Sequence, residues 1–234
     1  MDVLRSFFMS GAFMEGRRLD SPYIDMIWRG HSEPNYSPVC PADVRWNLLF
    51  LKSTGRIHVT VEGATTQYVA KHRVESTDFL VIKFALGVFM PYLSPDMLVD
   101  ADATLPQGGG NSSFWLNGSA WQLPDFENAE VFVQRMMRQG LLVAEPVVNS
   151  VLQNHLPDVS SRTVRRRFIQ STGLTPKLIE QIERAQHAAA LLGQGVSILD
   201  AVYETGYADQ PHMTRSLRRF IGQTPAQIAS QVQG

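Results

Sequence analysis

Cysteine is almost missing from this chain. Cys40 is its single example, so no internal disulfide can form and a reducing compartment is expected, with Cys40 a partly buried structural thiol. Long apolar runs are missing too. The most apolar stretch, Phe79 to Leu93, is interrupted by Lys83 and Pro91 and is too short to span a bilayer; it reads as paired strands. Met1-Asp2-Val3-Leu4-Arg5 is followed by no long apolar segment, so no signal peptide is expected, and the expectation is a soluble, cytoplasmic protein. His31, His58 and His72 are scattered without a His-x-His pair, which argues against a metal site, and no cofactor is expected. The glycine-rich break Gln107-Gly108-Gly109-Gly110-Asn111-Ser112-Ser113 is followed by no Lys-Ser/Thr pair and opens no helix after a strand, so it is not a phosphate loop.

A large net charge is also lacking: the formal value is −1. The average hides an asymmetry. Residues 146–234 carry nine Lys and Arg against six Asp and Glu, whereas residues 1–145 carry twelve against sixteen. A charge difference between halves suggests two jobs. The 234 residues suffice for one large domain or two ordinary ones, and the apolar fraction of 44% with 18% charged residues is that of a folded globular chain.

From Ser21 to about Leu105 the chain reads as short strands and turns. Trp46–Leu51 precedes the turn Lys52-Ser53-Thr54-Gly55, and in Arg56–Val61 the apolar residues Ile57, Val59 and Val61 alternate with polar ones, the period of a half-buried strand. Gln67–Ala70 and Asp78–Phe84 continue the series, which suggests a barrel or sandwich. Ser94-Pro95 reads as a helix start. After Pro124 the period changes. Asp125 is placed to cap a helix running to Gly140, with Phe126, Ala129, Phe132, Val133 and Met136 on one face.

The helical part contains a repeat. Gly173-Leu174-Thr175-Pro176 returns as Gly222-Gln223-Thr224-Pro225, an offset of 49 that also pairs Val164 with Met213, Arg166 with Arg215, Phe168 with Leu217 and Ile179 with Ile228. Each unit reads as a short helix, a turn and a second helix. The first spans about residues 146–172, turning through His155-Leu156-Pro157-Asp158. The second spans about 197–221, turning at Gly206-Tyr207-Ala208-Asp209. A helix, a tight turn and a helix is the arrangement that lays a recognition helix in the major groove of DNA.

At 100° per residue, inward-facing Val164 and Phe168 leave Arg162 and Arg166 pointing out, flanked by Arg165 and Arg167, with Ser161 and Thr163 in the first turn. In the second unit Met213 and Leu217 face inward, while Gln210 leads a face of Pro211, His212, Arg215, Arg218 and Arg219. Arginine suits either phosphate or the O6/N7 edge of guanine because its planar fork donates two hydrogen bonds. Between the units, Thr175 and Pro176 start a helix expected to run to Leu192 with Ile179, Ile182, Ala185, Ala189 and Leu192 as its core stripe. A rod of about 25 Å can hold two recognition helices in successive major grooves about 34 Å apart.

Residues 160–168 with Gly173-Leu174-Thr175-Pro176, and residues 206–215 with Gly222-Gln223-Thr224-Pro225, resemble the C-terminal domain of AraC/XylS-type bacterial transcription regulators, over roughly residues 126–230. Val164 stands where that family usually has Leu, Met213 and Leu217 where it favours Phe, and Pro211 where Ser is common. The apolar exchanges preserve a core. Pro211 removes a polar contact, so base reading falls more to the first unit and backbone anchoring to the second. More weakly, Ser21–Trp28, the Gly63-Ala64-Thr65-Thr66 turn and Phe84–Phe89 resemble a cupin-like sensor domain of one branch of the family.

The resemblance implies an α+β chain. A mainly-β, cupin-like barrel for sensing or dimerisation would occupy residues 1–122, and an all-α DNA-binding domain with two helix-turn-helix units joined by a central helix would occupy 123–234. It implies double-stranded DNA as partner across two successive major grooves, a small-molecule effector, a homodimer, and RNA polymerase if the regulator activates. Trp28, Trp46, Trp115 and Trp121 are expected in core packing ahead of ligand binding. The competing readings are a cupin-type enzyme, for which the barrel half shows no catalytic spacing, and a protein-binding adaptor with a helical appendage.

Overall fold

The computed structural model describes residues 12–35, 37–71, 75–110, 112–153, 155 and 158–231. Met1–Arg5, His72, Asn111, and Leu156 and Pro157 of the first turn lie outside the described residues. The N-terminal part is built of strands β1 (Ala12–Arg18), β2 (Ile24–Ser32), β3 (Val39–Cys40), β4 (Asn47–Ser53), β5 (Arg56–Glu62), β6 (Val69–Ala70), β7 (Thr77–Phe84), β8 (Val88–Phe89), β9 (Asp102–Leu105), β10 (Ser113–Leu116) and β11 (Ser119–Gln122). Helix α1 (Ala129–Arg138) and strand β12 (Val143–Ala144) follow. The rest is helical: α2 (Pro146–Leu152), α3 (Ser161–Thr172), α4 (Pro176–Gly193), α5 (Ile198–Glu204), α6 (Gln210–Phe220) and α7 (Pro225–Ser230).

Six strands make one sheet in the order β1-β2-β7-β4-β5-β9, with every pairing antiparallel. β4 and β5 are joined at Ser53↔Arg56 by the two-residue turn Thr54-Gly55, whose φ values of 42° and 76° are both positive. That backbone twist matches the strands it connects. The expected alternation holds in β5, where Ile57, Val59 and Val61 are buried. The strand-rich half is therefore as the sequence suggests, but its sheet is open: among the described residues β1 and β9 are edges, and the barrel does not close. Nor do the two strands of Phe79–Leu93 pair with each other. β7 lies between β2 and β4, while β8 pairs with β12. Gly87, at φ 86°, turns the chain away between them, and a side chain there would strike Val148 of α2. The expected helix start at Ser94 is a single 3-10 turn, Pro95–Met97, with no cap bond from the Ser94 side chain.

The two faces of the sheet have different partners. On one, Ile27, Leu48, Phe50, Leu80, Ile82 and Phe84 meet Phe114 and Trp121 of the β10–β11 ribbon and Phe126, Phe132 and Met136 around α1. The rings interlock edge to face, Phe50 with Phe132 at 6.1 Å and Trp121 with Phe132 at 5.6 Å between centroids. Helix α1 has the apolar stripe expected of it, yet its stripe packs on the sheet and not on the helical repeat. It also starts later than the sequence suggests: Asp125 Oδ1 accepts from the N–H of Glu127 and Asn128, forming a turn ahead of the helix proper.

The opposite face of the sheet carries Met26, Trp28, Leu49, Phe79, Val81 and Lys83. They line a cavity of about 440 Å³ roofed by segment 38–43. Inside it the Lys83 ammonium meets the Asp43 carboxylate at 2.5 Å, with side-chain exposures of only 10% and 17%. Burial by itself would raise the Asp43 carboxyl; the charges of Lys83 and Arg45, with hydrogen bonds from both, outweigh it and hold the group below its ordinary range.

A second core lies in the helical part, formed by Phe168, Ile179, Ile182, Ala185, Met213 and Leu217 and their neighbours, and it takes in Ala42, Val44, Ala64 and Leu86 from the strand-rich part.

Removing one member of a buried ion pair strands the other. Asp43→Asn should lower the unfolding free energy by about 3 kcal/mol in urea titrations, and adding Lys83→Met should recover part of that loss. Because the folded-state value of Asp43 is depressed, its contribution is full above about pH 4 and is lost as pH falls through the folded value. Wild-type stability should therefore fall more steeply with acid than that of Asp43→Asn.

Candidate nucleic-acid interface

Each helix of the two repeat units is started by its own capping residue. Glu145 accepts from the Val147 N–H at the head of α2, which has Pro146 in its first turn. Ser160 Oγ accepts from the Thr163 N–H at 3.2 Å and starts α3. In the second unit, Ser197 Oγ accepts from the Asp200 N–H, and Asp209 Oδ1 accepts from the His212 N–H at 2.6 Å. Asp209 thus supplies the cap that lets Pro211 sit in the first turn of α6, where its missing N–H costs nothing. Gly173 (φ 75°) and Gly222 (φ 82°) end the paired turns, and Thr175 and Thr224 restart the chain as α4 and α7.

Helix α4 spans 18 residues, about 27 Å at 1.5 Å per residue, and buries Ile179, Ile182, Ala185, Ala189 and Leu192 as expected. It connects the two units as one rod. Tyr207, in the turn of the second unit, donates from its hydroxyl to Ser216 Oγ at 2.8 Å and packs edge-on against His212. Burial pushes the Tyr207 phenol up, offset in part by the Ser216 bond and the Arg184 charge, so it remains a neutral donor that pins the turn to α6.

With the inward stripes satisfied, most of the polar residues expected to meet a partner are exposed. On α3 these are Ser161, Arg162, Arg165 and Arg166, with Thr163 half-buried beside its cap. On α6 they are Gln210, Pro211, His212, Arg215, Arg218 and Arg219. Arg167 is placed differently. It is half-buried, and its Nη1 lies 3.5 Å from the Glu145 carboxylate, which is itself buried. It ties α3 to the start of α2 instead of standing on the open face. Arg219 keeps an exposed guanidinium beside the Phe220 ring, while its backbone carbonyl is engaged by the N–H of Tyr68.

Sequence reasoning missed the cavity residues Asp43, Lys83 and Gln186. One signal was available. Phe79, Val81, Leu80, Ile82 and Phe84 are apolar on both faces of β7, which requires cover on both sides of the sheet. Of the four tryptophans, Trp46 and Trp121 are core residues, Trp115 is exposed and Trp28 lines the cavity. His31 lies at the surface against Asp78 and Ser76. Among the described residues no cluster of His, Cys, Asp and Glu is arranged to hold a metal ion, and no helix is long and apolar enough to cross a membrane.

Two capped helices of one repeat, each with a polar outer face and each led by a turn, define a helix-turn-helix DNA-binding unit. Residues 158–231 match the family model of a helix-turn-helix domain, and this C-terminal part of the chain is a helix-turn-helix domain of AraC type. The chain is similar to the transcriptional regulator RipA of Corynebacterium glutamicum, 33% identical over 88 residues that make up 37% of this chain and 27% of RipA. It is similar to the transcriptional regulator VirS of Mycobacterium tuberculosis, 31% identical over 94 residues, 40% of this chain and 26% of VirS. The matches thus span about a quarter of those relatives. The structure of ToxT from Vibrio cholerae aligns over 96% of this chain and 100% of its own with a TM-score of 0.43 and 9% identity, a distant likeness only.

The pairing of Arg167 with Glu145 separates it from its neighbours on α3. Arg167→Ala should cost about 1–2 kcal/mol of stability, by leaving a buried carboxylate without its cation, and should change DNA affinity less than Arg166→Ala. Thermal unfolding and duplex titration of the two variants side by side provide the check.

Proposed function

We propose that this protein is a sequence-specific DNA-binding transcription regulator of AraC type in which α3 and α6 enter successive major grooves on one face of a duplex. The observation that carries the reading is the pair of repeat-equivalent helices, each exposing its polar face and both fixed to the single rod α4. Ser161, Arg162, Thr163, Arg165 and Arg166 are the proposed contacts of the first unit. Gln210, Pro211, His212, Arg215, Arg218 and Arg219 are those of the second. Arg167 is left out because Glu145 holds it. With Pro211 at its head, α6 anchors mainly to phosphates, and α3 reads bases.

The cavity beneath segment 38–43 is the proposed effector site. Its lining includes the carboxylates of Glu15, Asp43, Glu62, Asp100 and Asp102 against two ammonium groups, Lys71 and Lys83, each already paired with one of those acids. Such a lining disfavours an anion, since a negative group would have to break a buried ion pair. It suits a mainly apolar molecule without negative charge. In this reading the protein acts in the cytoplasm and not as an enzyme. Its other partners are a second copy of the chain and, where it activates, RNA polymerase.

Selection of bound duplexes from a random pool, with and without cell metabolites, tests the proposal directly. Enrichment of a site with two elements about one helical turn apart is expected; a pool that stays random would overturn it. Arg162→Ala and Arg166→Ala should each weaken the selected site. Where the contact is to a base edge, the loss should be about 1–3 kcal/mol and confined to particular sequences. Where it is to phosphate, all sequences should weaken alike and the salt slope should drop by about 1.

A further inference from the structure

Three segments that line the cavity also contact the helical part. Segment 38–43 lines the cavity, and within it the Ala42 N–H donates to the Phe220 carbonyl at the end of α6, at 2.7 Å, while the Ala42 carbonyl accepts from Gln186 Nε2 of α4 at 2.6 Å. Segment 63–71 supplies Gly63, Thr65, Val69 and Lys71 to the lining, and its Tyr68 N–H donates to the Arg219 carbonyl at 3.2 Å. Segment 95–102 supplies Asp100, Ala101 and Asp102 to the lining and places Pro95 and Val99 against the end of α3.

Two of these contacts fall on equivalent positions of the repeat. Gly173 and Gly222 are 49 residues apart and end the recognition helices of the two units. A Cβ on Gly173 would lie 2.4 Å from Val99 Cγ2 and 2.7 Å from the Pro95 carbonyl oxygen; one on Gly222 would lie 2.8 Å from Tyr68 Cγ. The left-handed backbone alone does not account for this closeness. Gly195 (φ 87°) and Gly206 (φ 68°), in the same helical part, also have positive φ, and nothing lies within 4 Å of where their Cβ would be. Among the left-handed glycines of the helical part, the close approach singles out the two repeat turns.

We propose that the strand-rich part is a brace that, together with the rod α4, sets the separation and relative orientation of the two recognition helices, seating Tyr68 on one glycine turn and Val99 with Pro95 on the other. Tyr68 and Val99 are positioning residues. The seats lie at the C-terminal ends of α3 and α6, so the exposed N-terminal halves of both helices remain open. Because the seats lie in segments that also line the cavity, through Val69 next to Tyr68 and Asp100 next to Val99, a ligand that enters between these segments alters the half-site spacing the protein tolerates. This inference rests on the DNA-binding reading above.

The test uses the full chain and a selected two-element duplex, with the spacer lengthened or shortened by one and two base pairs. Each base pair moves one half-site by about 3.4 Å and turns it by about 35°. Wild-type affinity should fall at least about tenfold for a two-base-pair change. In Tyr68→Ala with Val99→Ala the same change should cost less than about threefold, whereas Arg162→Ala should weaken binding at every spacing and keep the wild-type profile. Tyr68 is 43% exposed and lies outside both cores, whereas Val99 is half-buried against the helical core. Circular dichroism therefore checks the fold of the double variant, and Tyr68→Ala alone, which should flatten the profile in the same direction, is measured beside it. Gly222→Ala against Gly195→Ala adds a matched pair: both strain a left-handed residue, and only the first should flatten the spacing profile. A double variant with the wild-type profile, or a wild type indifferent to spacing, overturns the brace while leaving DNA binding intact. A wild type that selects no duplex overturns the DNA-binding reading itself.

Discussion

The ion pair between Lys83 and Asp43 ties the sheet to the segment on which the helical part rests. Lys83 projects from β7 on the face of the sheet away from the main core, and Asp43 comes from a segment with little regular structure of its own. Their union fixes that segment over the sheet. It leaves Ala42 positioned between α4 and the last carbonyl of α6, and Arg45 within reach of Glu183 on α4, at 3.1 Å. A buried charge pair is a poor source of net stability, because desolvation offsets the attraction, but it tolerates very few geometries. Here that selectivity is spent on placing a backbone segment at the junction of cavity, rod and recognition helix.

The two cores follow from the same arrangement. A twisted sheet with apolar residues on both faces needs cover on both. The β10–β11 ribbon and α1 cover one side with interlocked aromatic rings, and segment 38–43 with the flank of α4 covers the other incompletely, leaving the cavity. Ala42, Val44, Ala64 and Leu86 then belong to the helical core although they come from the strand-rich part. The small side chain of Ala42 at that junction lets its backbone approach α6 and bond the Phe220 carbonyl directly. The proposed DNA-facing surface is what this packing leaves over: the polar sides of α3 and α6, with Arg167 paired to Glu145.

Much of the helical part was legible in the chain alone. A cap such as Thr175 acts on the backbone three residues away, and apolar stripes such as Ile179, Ile182, Ala185 and Leu192 depend only on helical period, so both are properties of local sequence. The alternation of Ile57, Val59 and Val61 reports its strand for the same reason. The repeat added long-range information, because two copies of one pattern imply two copies of one structure. Less was legible where partners are distant. α1 has the same stripe whether it packs on helices or on a sheet, and period cannot say which. The closure of the barrel was likewise beyond the sequence, since closure depends on whether edge strands meet, not on alternation within any of them.

Sequence by itself determined the repeat, the Thr175 cap of its central helix, its outward arginines and therefore the class of the C-terminal domain, because these rest on interactions spanning a few residues or on the comparison of the chain with itself. Only the tertiary structure decided that Arg167 pairs with Glu145, that a cavity lies beneath segment 38–43, and that Gly173 and Gly222 lie against the strand-rich part. Those facts depend on contacts between residues tens to more than a hundred positions apart. No local preference encodes such a contact; it exists only once both cores have formed and brought the two surfaces within van der Waals range.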